Sequence, residues 1–596
     1  MAMDKLELQI YNTLTKQTEV FKSKEPGKVK MYICGVTPYD FSHIGHARSY
    51  VAFDILYRYL KYLRYDVVYV RNFSDVDEKI IRRANEFGED PIALSGRYCQ
   101  EFLKDMDDLQ CLPPIHQPRV SEHMEEIKEM IAKVMTNGYA YTVDGDVYFS
   151  VDSFPEYGRI SGQKLEDNRA GVRFAVDSRK LNPADFALWK AAKPGEPSWD
   201  SPWGRGRPGW HIECSAMSAY YLTHSFDTHG GGMDLIFPHH ENEIAQNCAA
   251  CGPESNVSYW MHNGFVTIDD EKMSKSLGNF FTIREVTRLY HPIALRYFLL
   301  GTHYRSPVNY SISQIEIASE SVYYIYQTLH DSEEALSAFQ QGTVTETKVK
   351  GVRVSPQAQE CISELRNELE TKLSDDLHTP AILNAALQEA LRLMNSYVNM
   401  LKVGTLPSFF TSAHGWCGIT NVPLSLDTFQ KKQQQLSVIL YLSELQKEVK
   451  AVLDVLGLLL GSTCAEVLQQ FKERALKRAD LTEEDILLAI EERALARKNK
   501  EFARSDQIRT DLVAKGIALM DIGTETVWRP CVRRGLEQPA PPAQLEQSAA
   551  AVQKEPPVAP RDGKWGGAVQ GKALMGQGRA CQNTFSENSK WGRAGF

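Results

Sequence analysis

Residues 29–73 read as strand, helix, strand, and that order leaves few folds open. Residues 29–34 are a β-type apolar run, and 66–73 are another, carrying Val67, Val68, Tyr69 and Val70. Between them, Val51, Ile55, Leu56, Tyr59 and Leu60 recur at helical spacing over residues 44–62. Two strands joined by a helical crossover must run parallel, and near-continuous apolar strands imply a sheet covered on both faces. A second strand–helix block spans residues 210–266, and the mixed stretch 113–209 separates the two. After residue 307 the pattern is almost wholly helical to 483, and 484–529 reads as helix, helix, strand. The fold class is therefore α/β followed by α-helical and small α+β parts. Ligands of parallel sheets bind at the carboxyl ends of the strands, so the turn after residue 34 is the first place to look for chemistry.

Composition narrows the class without naming a function. The chain has 596 residues, which at ~150 per domain suggests about four units. Hydrophobic residues are 43%, charged residues 24% and the formal net charge is −9. These values exclude wholesale disorder and a polybasic surface, so any nucleic-acid contact must be a local patch. No run reaches the ~18 apolar residues of a membrane helix; residues 452–460 come nearest and include Asp454. Eleven irregularly spaced cysteines do not form a secreted framework, and residues 1–7 look like neither a secretory signal nor a transit peptide. The expected compartment is the cytoplasm, with cysteines present as thiols.

His43-Ile44-Gly45-His46 occupies the critical turn. Backbone N–H groups at a helix N-terminus favour phosphate, Gly45 lets a ring lie flat on the backbone, and two imidazoles can donate to phosphate oxygens. Lys272-Met273-Ser274-Lys275-Ser276, followed by Leu277-Gly278-Asn279, forms a cationic clamp suited to pyrophosphate. Alone, the first could be an ordinary capped helix and the second a solvated basic loop. Together and in this order they resemble the class I aminoacyl-tRNA synthetases, which bind ATP between a HIGH turn and a KMSKS loop. The resemblance implies catalytic roles for His43, His46, Lys272 and Lys275, with Ser274 also at the ATP, and Mg²⁺ accompanying it.

Four further residues suggest a metal centre. Cys34 ends the first strand and Cys214, opening the second block, is expected at another strand end. His239 and Glu243 stand four apart, on one face if Pro238 opens a helix. Cys₂HisGlu suits tetrahedral Zn²⁺. On the same count His240, with Ile244 four residues on, is expected to point elsewhere. Cys248-Ala249-Ala250-Cys251 has tighter spacing but no partner pair, and buried cysteines are often merely structural. The set Cys34, Cys214, His239 and Glu243 resembles that of the cysteinyl-tRNA synthetases, in which one zinc forms the floor of the amino acid pocket.

That resemblance covers roughly residues 5–530 and implies a domain plan. Residues 1–112 and 210–266 would be the halves of a Rossmann catalytic domain, and 113–209 its connective insertion. Residues 267–306 would hold the KMSKS loop and stem-contact region, 307–483 a helical tRNA-binding bundle, and 484–533 an anticodon-binding domain. The Pro-, Gly- and Ala-rich stretch 534–596 is expected to be disordered, and an insertion at 401–434 has no assigned role. Implied substrate-pocket residues are Gly35, Thr37, Ser74, Trp210 and His239; Lys79, Gly231, Gly232 and Asp234 would meet ATP. Arg497, Lys498, Arg504, Trp528 and Arg529 are the implied tRNA contacts, Trp528 and Arg529 by stacking on unpaired bases. The implied activity joins L-cysteine to tRNA(Cys) through an adenylate. A cysteine ligase acting on an amino sugar, or a non-catalytic RNA- or zinc-binding paralogue, remains the alternative.

Overall fold

The alternation of side chains along a strand puts Met31 and Ile33 on one face of the first strand, Lys28–Val36, and Tyr32 and Cys34 on the other. Each face has its own core. Met31 and Ile33 pack with Val51, Ile55 and Leu56 of helix Ile44–Tyr62. Tyr32 and Cys34 pack with Ile212, Cys214 and Met217 of helix Trp210–Leu222. The sheet between them has four strands, in the order Asn256–Asn263, Ser225–Gly232, Lys28–Val36, Asp66–Phe73, all parallel. This computed structural model describes residues 7–163, 177–252, 254–268, 271–273, 280–340, 356–403 and 426–533.

The chain leaves this sheet between its two halves to build a second, antiparallel one, ordered Ala140–Val143, Asp146–Phe149, Phe186–Ala191, Gly206–Pro208. Helices Ile312–Gln340, Pro356–Ser374, Ala386–Val403, Leu426–Val455 and Cys464–Ala479 follow. Two buried arginines tie the His43 helix to what comes after it. Arg48 donates to the carbonyls of Leu299, Thr302, His303 and Ser306. Arg296 pairs with Asp54 and donates to the carbonyl of Leu456, at the end of a bundle helix.

The last unit departs from the sequence reading. Helices Glu483–Lys498 and Phe502–Ala514 are followed by two strands, Ile517–Ile522 and Glu525–Pro530, where one was expected. Gly523, at φ +61°, supplies the left-handed turn that folds the hairpin back. The expected tail, 534–596, and most of the 401–434 insertion, 404–425, lie outside the described residues.

Candidate active site and metal centre

The His43 turn caps its own helix. His43 Nδ1 accepts from the Gly45 N–H at 3.0 Å and His46 Nδ1 accepts from the His43 N–H at 3.1 Å, with the rings stacked 3.9 Å apart. A nitrogen that accepts cannot carry the proton, so in the neutral rings both protons sit on Nε2. A Cβ at Gly45 would come within 2.7 Å of the His43 ring, so glycine makes room for the cap. The segment just beyond the KMSKS loop docks on this turn: Ile44 N–H donates to the Phe281 carbonyl at 3.1 Å and Ile283 N–H to the Ser42 carbonyl at 2.8 Å. Lys272 Nζ lies 3.5 Å from Asp234 Oδ2. Ser274 and Lys275 lie outside the described residues.

Cys34, His239, His240 and Glu243 present donor atoms that all fall within 4.8 Å of one another. Cys214 Sγ is 3.8 Å from Cys34 Sγ. His239 Nε2 lies 3.0 Å from Glu243 Oε1, although the regular helix begins only at Glu241 and not at Pro238. Two expectations are corrected. Cys214 sits in the second turn of helix Trp210–Leu222 and not at a strand end. His240 faces inward, its Nε2 3.3 Å from Cys34 Sγ, because Ile236–His240 is a wide turn with Phe237 extended (φ −137°, ψ 132°). The regular helix starts only at Glu241, so helical counting from His240 fails.

With no metal bound, the electrostatics ready Cys214 and Glu243 as donors and keep protons on Cys34 and His239, protons that a metal would displace. The Cys34 thiol, by hydrogen bonding, lowers the Cys214 pKa to about 6 against the effect of burial, and His239 assists. Burial and the Cys214 bond push the Cys34 thiol up. Burial opposes charge on Glu243, but His229 and His239 outweigh it and hold the carboxylate low. Burial likewise opposes charge on His239, which Glu243 and Cys214 overcome, raising its pKa to about 10. Glu243 Oε2 is buried and has only a long contact, with His229 Nε2 at 3.4 Å. Two thiols, two imidazoles and a carboxylate with a spare oxygen are the donor chemistry Zn²⁺ takes.

The sequence of residues 20–320 matches the profile of the class I (C) tRNA synthetase catalytic domain. An Arabidopsis thaliana chloroplastic/mitochondrial cysteine–tRNA ligase is 57% identical over 537 residues, 89% of this chain and 88% of the relative. The cytoplasmic cysteine–tRNA ligase 2 of the same plant is 56% identical over 89% of this chain and 98% of its own length. The chain belongs to the cysteine–tRNA ligase family. A cysteine–tRNA ligase of Syntrophotalea carbinolica is 44% identical over 88% of this chain and 100% of its own length. In fold the chain is similar to Mycobacterium tuberculosis methionyl-tRNA synthetase in complex with methionyl-adenylate, at TM-score 0.50 and 14% identity, over 77% of this chain and 94% of that one.

Set against a cysteine–tRNA ligase, the remaining candidates divide. Trp210 stacks on His239 at 4.4 Å and is 37% exposed. Ser74 is buried, and Asn72 Nδ2 donates to its hydroxyl at 3.4 Å. Gly35 is different: a Cβ there would lie 1.5 Å from the Asn72 carbonyl oxygen, and its N–H donates to Asn72 Oδ1, so strand contact dictates this glycine. Thr37 is half-buried beyond it. Lys79 Nζ stands 5.9 Å from the Tyr39 ring. Gly231 and Gly232 end the strand Ser225–Gly232. A Cβ at Gly232 would lie 2.5 Å from Asp234 Oδ1.

The RNA candidates of the helix–hairpin unit are mostly partnered. Trp528 is 4% exposed, a core residue whose Nε1 donates to Glu483 at 2.8 Å; it does not present a face for bases. Arg529 pairs with Glu320, Arg497 with Asp521 and Arg504 with Glu492. Lys498 is exposed. Sequence reasoning missed His229, whose Nε2 lies 3.4 Å from both Cys34 Sγ and Glu243 Oε2. It also missed His262, bonded to His240 at 2.7 Å. Both lie near carboxyl ends of parallel strands, the signal that would have found them.

Proposed function

We propose that this chain activates L-cysteine with ATP to cysteinyl-adenylate, releasing pyrophosphate, and then transfers cysteine to the 3′-terminal adenosine of tRNA(Cys). The observation that carries the reading is the convergence of two cysteines, two histidines and Glu243 near the carboxyl end of the strand that precedes the His43 turn. Cys34, Cys214, His239 and Glu243 would hold Zn²⁺, with His240 close enough to compete for or support a position. Bound there, zinc supplies a soft Lewis acid that accepts a thiolate far better than a hydroxyl. No large editing insert is then needed, since serine lacks the strong donor.

In the first step a carboxylate oxygen of the amino acid attacks the α-phosphorus of ATP and the bond to pyrophosphate breaks. His43 and His46 donate from Nε2 to phosphate oxygens as negative charge builds. Lys272 and Lys275 neutralise the leaving pyrophosphate, and Mg²⁺ travels with ATP. Lys272 exchanges its contact with Asp234 for phosphate, which releases Asp234 towards the ribose. In the second step a ribose hydroxyl of the tRNA attacks the acyl carbon, AMP leaves, and the hydroxyl proton departs with it. Ser74, Thr37 and Trp210 line the amino acid side, and Lys79, Gly231 and Gly232 the nucleotide side.

The test is amino-acid-dependent ATP–pyrophosphate exchange with cysteine and with serine. Exchange with cysteine exceeding that with serine by roughly 10⁴-fold is expected. Equal rates would overturn the zinc-based selection. The match over 537 residues spans the helical bundle, which an amino-sugar ligase has no use for. As to compartment, the nine described cysteines are free thiols, which suits any reducing space. No described helix is long and apolar enough to cross a membrane. We place the protein in the cytoplasm, and recovery in an organelle fraction would correct that.

A further inference from the structure

Six of the nine described cysteines are buried. Of the three half-buried ones, Cys248 and Cys251 stand three residues apart in the last turn of helix Glu241–Cys251. Residues three apart in an α-helix share a side, with Cα atoms about 5 Å apart, inside the roughly 4.4–6.8 Å that a disulfide spans. The intervening Ala249 and Ala250 are buried, and Asn137 Nδ2 donates to both their carbonyls, at 2.8 and 3.4 Å. The turn is thus seated, with the two sulfurs at the rim of the core. Gly252, at φ +81°, ends the helix directly after Cys251. A terminal turn has no further turn bonded to it, so it adjusts to a cross-link more readily than a helix interior does. Among the described residues, the one group of three or more metal-type donors is that of Cys34, so this pair lacks the further ligands of a closed zinc site.

We propose that Cys248 and Cys251 form a reversible dithiol–disulfide site, oxidised by small-molecule disulfides of the glutathione class. The Cys248 thiol donates weakly to the Ser255 carbonyl, at 4.0 Å, and keeps its proton there, so Cys251 attacks first. Its thiolate bonds to one sulfur of the oxidant, the oxidant's S–S bond breaks, and the other half leaves as a thiolate. The Cys248 thiolate then attacks the Cys251 sulfur of the mixed disulfide. The internal S–S bond forms and the second half of the oxidant leaves. Two electrons pass from the pair to the oxidant, and the two thiol protons end on the two released thiols. Burial pushes both cysteine thiols up, and the negative end of the helix dipole also opposes their thiolates. A reduced pair without a stabilised thiolate makes its disulfide a weak oxidant, so a mild external disulfide suffices to form it. The cross-link closes the far end of the helix that carries Glu243, about one and a half turns away.

The test incubates full-length, zinc-loaded protein with glutathione disulfide, alkylates the remaining thiols after unfolding in acid-quenched samples, and maps the peptides by mass spectrometry. The peptide holding Cys248 and Cys251 should be two hydrogens lighter, without alkyl groups and without glutathione. Dithiothreitol should return two alkylatable thiols to it. In Cys248→Ser one glutathione should stay on Cys251, trapped for want of the second thiol. Two alkylated cysteines in the treated unaltered protein would overturn the proposal. So would glutathione persisting on either cysteine there, since the two sulfurs would then be unable to meet. Two zinc atoms per chain, falling to one in Cys248→Ser, would overturn it as well, because the pair would be half of a metal site. The measurements on the unaltered protein decide the question even if the variant fails to fold.

Discussion

The sheet-end cluster and the helix–hairpin unit are both rich in polar side chains, yet they handle them oppositely. At the sheet end, buried polar atoms gather from distant segments and several are left without hydrogen-bond partners, among them Tyr32 Oη and Glu213 Oε2. In the helix–hairpin unit most arginine nitrogens close on local acids, Arg493 Nε and Arg529 Nε excepted: Arg493 forms a two-pronged pair with Asp521, which Arg497 also joins, and Arg504 pairs with Glu492. Unspent donor capacity in a buried place is costly and marks where a ligand binds. Spent capacity at a surface marks where the fold holds itself together.

Removing one donor from the first region should give the largest effect. Glu243→Ala is expected to lower zinc retention and cysteine activation by roughly 10³-fold, with ATP affinity within about twofold. Metal content after gel filtration, measured beside exchange kinetics, decides it. A variant with normal zinc and normal cysteine turnover would show that the cluster's spare oxygens serve packing alone.

Trp528→Ala makes the contrasting cut in the second region. Trp528 packs with Ile486, Ile508, Leu512, Ile517 and Leu519 in a small separate core. Losing it should cost about 3–5 kcal/mol, most of that unit's own stability. Hydrogen exchange should then rise across Glu483–Pro530 while the parallel sheet stays protected. If Trp528 instead served RNA only, protection would be unchanged and tRNA affinity alone would fall.

The unequal legibility of the two regions has a physical basis. Cysteine, histidine and glycine carry narrow chemistry, so Cys34, Cys214, His239 and the His43 turn drew notice by type and spacing, although only the family resemblance joined them into sites; the structure brings Cys34, Cys214 and His239 together. What spacing could not give was the extended Phe237 that swings His240 inward, or the strand contact at Asn72 that requires Gly35. Both are tertiary facts. Arginines and tryptophans are less telling, since one helical spacing serves an RNA face and a set of internal pairs equally well. Trp528 was assigned to bases because the hairpin that buries it depends on the Gly523 turn, which a single-strand reading passed over. The parallel sheet itself was plain, because βαβ order and apolar strands admit little else.

A smaller effect separates the surface cations from one another. Lys498 is exposed and forms no ion pair among the described residues, whereas Arg504 is held by Glu492. Lys498→Ala should therefore reduce the slope of log affinity against log salt for tRNA by about 1, and Arg504→Ala by less. Identical slopes for the two variants would mean that the pair with Glu492 opens at no cost when RNA binds.

The smallest effect concerns the joint between the two sheets. Glu78, in the helix that carries Lys79, pairs with Lys190 and Arg207 of the antiparallel insertion. Burial raises its pKa, but the Lys190 bond and charge, with Arg207 behind them, prevail and bring it to about 2 from the ordinary 4.5. A carboxylate with a depressed folded pKa stabilises the fold above the unfolded value, and that contribution fades as pH falls towards the folded value. Glu78→Gln should thus lower stability by under about 1 kcal/mol at pH 7, since the side chain is 52% exposed and solvent screens the pair. The difference from the unaltered protein should shrink between pH 4.5 and pH 2. Urea midpoints measured across that window provide the reading. A difference that instead grew on acidification would mean that Glu78 is stabilised when protonated, and the joint would then be held by packing and not by charge.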